Sequence, residues 1–184
     1  MTEYKNTMLI SPNTIKTMNL VNLNLDDADF AASIRVAQNI YLQDIIGSAL
    51  LNDLQQLVFN AIKGQSPNIN DQEHTQYKEL IDDYLKDALA YKAVSEACRR
   101  FSHKLRNAGV VSNSDINMNA ASSTDIKELR AEYETYFCEA VNHMIAYLKA
   151  NKGSFPELND DCPCGDKLPK LNAKYGNCGL WLGK

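Results

Sequence analysis

"AQNIYLQDIIGSALLNDLQQL", residues 37–57, decides how this chain of 184 residues is read. Just upstream, Asp26, Asp27 and Asp29 crowd a helix start, where negative charge and a capping oxygen are favourable. Phe30, Ile34, Ala37, Ile40 and Tyr41 then recur about one helical turn apart. Gly47 interrupts that period. Ser48 is placed to cap a second helix bearing Leu50, Leu51, Leu54, Leu57, Val58 and Ile62, which Gly64 stops. So short a connection predicts a helical hairpin.

Working outward, "GQSPNIN" (64–70) reads as a loop, and Asn70 with Glu73 has the pattern of a capping box. It opens the longest predicted helix, about residues 71–107. The stripe of that helix is Tyr77, Leu80, Ile81, Tyr84, Leu85, Ala88, Tyr91, Val94, Cys98, Phe101 and Leu105, and Gly109 ends it. Residues 110–122 read as a long polar loop. Asp125 and Glu128 cap a last helix with Ile126, Leu129, Tyr133, Phe137, Ala140, Val141, Met144, Ile145 and Leu148 on one face. The fold class is therefore all-α. A four-helix core (residues 26–150: hairpin, long third helix, last helix) follows an irregular N-terminal segment, 1–25, and precedes an extended C-terminal arm, 151–184.

Hydrophobic residues make up 45% of the chain and charged residues 23%, an ordinary globular balance. The net charge of −4 argues against general charge-driven binding of nucleic acid. No apolar run reaches the roughly 18 residues that span a bilayer, and the N-terminus lacks the pattern of a signal peptide. Five cysteines without a disulfide framework's spacing predict reduced thiols in a cytoplasm.

Signals for chemistry are sparse. His74, His103 and His143 fall in no helical metal motif, and there is no phosphate-binding glycine loop and no nucleophile elbow. Neither catalytic residues, a metal nor a cofactor is expected. Cys162, Cys164 and Cys178 supply three thiolates where zinc usually takes four ligands. They sustain one alternative, a small cytoplasmic binding protein that senses metal or redox state. Arg99, Arg100, His103, Lys104 and Arg106 form a basic cluster, which either complements a helix dipole or meets an acidic partner or passing DNA.

The arm has no helical period. Leu168, Leu171, Tyr175, Leu180, Trp181 and Leu182 are its candidate anchors, either on a partner or folded back on the chain's own core.

Residues 37–57 resemble a signature of tailed-bacteriophage head–tail connector proteins, or adaptors. The matching positions are Ala37-Gln38, Tyr41-Leu42, Ile45-Ile46-Gly47, Leu50 and Leu54. The order of a long third helix, a polar loop, a last helix and a trailing arm fits as well, whereas the arm's cysteines depart from the pattern. The resemblance implies a structural virion protein rather than an enzyme, assembled in the host cytoplasm and residing at the neck of the virion. Its implied partners are the portal protein, copies of itself in a ring (a dodecamer), and tail or further connector proteins. DNA would pass through the channel without sequence-specific binding, and no membrane is involved. The basic residues Arg99, Arg100, Lys104 and Arg106 would be electrostatic contacts, and the arm would hold the portal or a neighbouring subunit.

Overall fold

The computed structural model describes residues 3–21, 27–106, 109–112, 123–158 and 169–171. Among the described residues the fold is all-α, with five helices. Helix α1 is Pro12–Thr17. Helix α2 runs over residues 27–46 as Asp27–Val36, a wide π turn at Ala37–Leu42, and Gln43–Ile46. Helix α3 is Ser48–Lys63. Helix α4 covers residues 75–102 as Thr75–Glu79, a second π turn at Leu80–Leu85, and Lys86–Ser102. Helix α5 is Ser123–Ala150, whose 28 residues extend about 42 Å.

Helices α4 and α5 form the spine. They run antiparallel, since Tyr84 stacks on Tyr147 while Tyr91 meets Tyr133 and Tyr136. Helix α2 crosses onto α4, and α3 folds back from α2 at Gly47. The core they close includes Phe30, Ile34, Ile46, Leu50, Leu54, Leu80, Leu85, Val141, Met144 and Leu148, all nearly or wholly inaccessible.

Gly47 has φ 84° and ψ 163°, a conformation open essentially to glycine alone, and its N–H closes the last turn of α2 on the Gln43 carbonyl. Ser48 is not the cap expected of it. It is the first residue of α3, and its hydroxyl accepts from Gln43 Nε2 at 2.8 Å. Gly64, at φ 66°, ends α3 in the left-handed conformation as expected.

Several other expectations give way. The segment 1–25 contains α1, closed by a capping box between Ser11 and Thr14 with Pro12 at its first position. Leu9, Ile10 and Ile15 are buried in the core. Two buried glutamines hold this segment in place. Gln38 accepts from the Leu9 N–H and donates to the Thr7 carbonyl, and Gln55 donates to the Lys5 and Thr7 carbonyls.

The long third helix starts with a 3₁₀ turn, Gln72–His74, without the Asn70–Glu73 box. Asn70 instead accepts from Lys78, and Asp71 organises the preceding loop through Ser66 and Asn68. The same helix stops at Ser102, not near 107. Strand β1, His103–Arg106, there pairs antiparallel with β2, Gly109–Ser112, with Leu105 opposite Val110. Val110 and Val111 are β-branched and favour an extended ribbon over a further helical turn.

At the other end, Phe155 and Leu158 are buried and belong to the core, whereas the loss of helical period assigns residues 151–158 to the arm. They sit in two 3₁₀ turns, Lys152–Ser154 and Pro156–Leu158. Ile40, Ile62 and Leu129 are exposed although the periodicity placed them on apolar faces.

Candidate functional site

The residues singled out from the sequence fall in different parts of the molecule. Arg99 and Arg100 lie in the last turn of α4, and Lys104 and Arg106 in β1. Arg100 is exposed, and the other three side chains lie outside the described residues. Of the arm, Leu168, Tyr175, Leu180, Trp181 and Leu182 lie outside the described residues, as do Cys162, Cys164 and Cys178.

Leu171 is described, and it packs partly buried against the chain's own core. Its neighbour Lys170 donates its backbone N–H to the Ile45 carbonyl at 2.8 Å. The Lys170 ammonium also pairs with Asp44 at 2.7 Å. This short piece of arm is thus laid on the corner between α2 and α3 that Gly47 turns.

The thiols also differ from expectation. Cys138, buried on α5, is disulfide-bonded, and its partner lies outside the described residues. An odd cysteine count leaves one thiol over but does not forbid a bridge. Cys98 is free, and burial raises its thiol pKa. It is only half-buried, less enclosed than a core position would be.

A pocket of about 230 Å³ opens where α3, the start of α4 and the turn after α5 meet. Asp53, Leu57 and Asn60 line it from successive turns of α3, and His74 and Tyr77 from the start of α4. Glu157 reaches it from the last 3₁₀ turn, and Pro67 from the loop that Asn60 holds by donating to the Pro67 carbonyl at 2.6 Å. Glu157 is fixed on one side, since Tyr77 Oη donates to its Oε1 at 2.7 Å. Its Oε2 is enclosed and faces another acceptor, and His74 Nδ1 has no hydrogen-bond partner among the described residues.

The group that faces Glu157 is the Asp53 carboxyl. Burial and the facing Glu157 carboxylate, with which it shares a hydrogen bond, push the Asp53 carboxyl up to about 6. A protonated Asp53 satisfies Glu157. Burial and the same carboxylate raise the Tyr77 phenol as well. The ring of Tyr77 is wedged edge-on between His74, 5.7 Å away, and Phe155 at 5.2 Å.

Among the described residues no group of three His, Cys, Asp or Glu side chains is disposed to hold a metal ion. The pocket is therefore an acidic, half-open recess with a fixed hydrogen-bond acceptor, an imidazole and apolar walls. Sequence reading missed it, because Asp53, Tyr77 and Glu157 come from three distant segments and none sits in a local motif. The one visible hint was Asp53, a carboxylate close to the apolar stripe of α3.

No helix among the described residues is long and apolar enough to cross a membrane. No curated protein and no solved structure matches the chain. A family model described as "Family of unknown function (DUF6712)" matches residues 42–167. That span contains the Gly47 corner, α3, α4, α5 and all of the pocket's lining residues. With more than half of its length covered, the chain belongs to this family of unknown function, DUF6712.

Proposed function

We propose that this protein is a structural component of a tailed-phage virion, a head–tail connector. In this reading it forms a ring beneath the portal, extends the DNA channel and offers the surface on which tail components land. The observation that carries the reading is the corner at Gly47. The stretch resembling the adaptor signature has a definite structural task at each matching position. Gln38 clamps the N-terminal segment, Gly47 turns the chain where other residues are strained, and Leu50 and Leu54 are fully buried. Residues 169–171 are seated on the same corner, so a partner that moved the arm would act directly on it.

Two further features suit a ring wall. The antiparallel α4–α5 pair provides stiff rods, and rings are closed by head-to-tail contacts between such rigid faces. The negative net charge disfavours gripping the DNA that passes. One observation favours a second reading. The bridged Cys138 fits a thiol-based redox sensor better than a zinc tail, because a sulfur committed to a disulfide is no thiolate ligand.

Co-sedimentation of the purified chain with portal rings encoded near its gene tests the connector reading. The arm should be trimmed after Leu158, since Phe155 and Leu158 are core residues. Saturable binding by the full chain that weakens on trimming is expected. Absence of binding by the full chain across salt concentrations would overturn the reading.

A further inference from the structure

The pocket at Asp53 and Glu157 does not enter the connector reading, and the following stands independently of it. We propose that this pocket receives the cationic side chain of a partner polypeptide, an arginine guanidinium or a lysine ammonium.

The acceptor side comes first. Glu157 Oε2 is enclosed, and among the described residues the one group that faces it is the Asp53 carboxyl, which can donate to it only while protonated. Two carboxyl groups face to face need either a proton or a cation between them. In acid the proton of Asp53 serves. Above about pH 6 the Asp53 proton is lost, and no lysine or arginine stands among the described lining residues to replace it. His74 Nδ1, which also lacks a partner, is a second acceptor when the imidazole is neutral and carries its proton on Nε2. Glu157 is prevented from turning away by its bond to Tyr77.

The shape then selects among cations. About 230 Å³ is far more than one water requires, at roughly 30 Å³ of liquid volume, and far more than a bare ion needs. The described carboxylates and imidazole do not converge as metal ligands. Leu57 and Pro67 offer apolar surface for the methylene stem of a long basic side chain, while its head meets the carboxylates. A free amino acid is the poorer occupant, since no lysine or arginine among the described lining residues is there to hold its own carboxylate. The occupant is therefore a residue within a chain.

The test titrates the isotope-labelled full chain with a capped glycine-arginine-glycine tripeptide, its citrulline counterpart, and zinc or magnesium salts. At about pH 7.5 the arginine peptide is expected to shift the amide signals of Asp53, His74 and Tyr77 saturably, while the neutral citrulline peptide leaves them unchanged. Asp53→Asn and Glu157→Gln should each weaken binding roughly tenfold. Lowering the pH to about 5, where Asp53 is protonated, should weaken it similarly. Asp53 is itself an exposed position of α3, so its variant keeps the fold should Glu157→Gln disturb it. Equal responses to arginine and citrulline, no response to either, or a response only to the metal salts would each overturn the proposal.

Discussion

Lys92 Nζ lies 2.6 and 2.8 Å from the two carboxylate oxygens of Glu134, and this pair is sealed inside the seam between α4 and α5. Ser95 donates to the same Glu134 Oε1 at 2.6 Å. Lys92 Nζ also sits 3.7 Å above the Tyr41 ring, and Tyr41 Oη donates to Glu96, one turn further along α4. One lysine thus ties α2, α4 and α5 together at a single buried point. Burying these charges is costly, and only their pairing offsets the loss of water.

Lys92→Met should therefore destabilise the chain by about 3–5 kcal/mol, because it strands Glu134 inside the seam and takes the cation from the buried Glu96, 3.8 Å away. The double variant Lys92→Met with Glu134→Leu should recover part of that loss, as two apolar groups can replace a buried pair while Tyr41 still donates to Glu96. Urea denaturation of the wild type, both single variants and the double variant gives the coupling energy. Additive losses would show that the pair is not the reason the charges are tolerated.

Asp53 offers a prediction with an unusual sign. Its folded-state pKa is raised, from 3.8 to about 6, so the folded chain holds a proton that the unfolded chain releases. The contribution of this group is fully present below the unfolded pKa and is lost as pH rises through about 6. A fully enclosed group shifted by two units would change stability by about 3 kcal/mol. Asp53 stays exposed on its outer side, and screening there reduces the effect to about 1 kcal/mol. Asn in its place donates to Glu157 at every pH. Asp53→Asn should therefore raise the melting temperature by about 2–4 °C near pH 7.5 and leave it unchanged near pH 4. A variant less stable than wild type at both values would mean that Asp53 and Glu157 do not face each other.

Gly47 and Gly64 separate two kinds of glycine. Gly47, at φ 84° and ψ 163°, occupies a region closed to other residues, so Gly47→Ala should cost about 1–3 kcal/mol. Gly64, at φ 66° and ψ 30°, is in the left-handed helical region, with open space where a Cβ would stand. Gly64→Asn should cost well under about 1 kcal/mol, since asparagine visits that conformation. Thermal melts of both variants make the comparison. A Gly64→Asn loss equal to that of Gly47→Ala would contradict it.

Much of this architecture was legible because amphipathic period and glycine placement are local signals. Residues 37–57 revealed the hairpin, its turn and the stop at Gly64. The stripe of α4 was right through Val94, and that of α5 from Phe137 to Leu148. What stayed hidden depends on long-range partners. Gln38 and Gln55 carry no local mark of burial, yet they are buried because the carbonyls of residues 5–7 come to them from the N-terminal segment. Lys92 and Glu134 are 42 positions apart and carry no local mark of being paired. The pocket needed three segments to meet, and the end of α4 was set by strand pairing across residues 103–112.

The π turn at Ala37–Leu42 is the clearest instance, and it can be checked with two substitutions. A regular helix would carry Ile40 along the stripe of Phe30, Ile34 and Ala37. Here the Gln43 N–H reaches back five residues to the Gln38 carbonyl, so one residue is inserted into the turn and everything beyond it rotates. Leu42 swings inward to 1% exposure, and Ile40 is left at 55%. Ile40→Gln should alter stability by no more than about 0.5 kcal/mol, as expected of an exposed site. Leu42→Ala should cost about 2–5 kcal/mol through lost burial and the cavity left behind. Chemical denaturation of the two variants side by side decides the register. A loss at Ile40 matching that at Leu42 would restore the straight helix that the simple period describes.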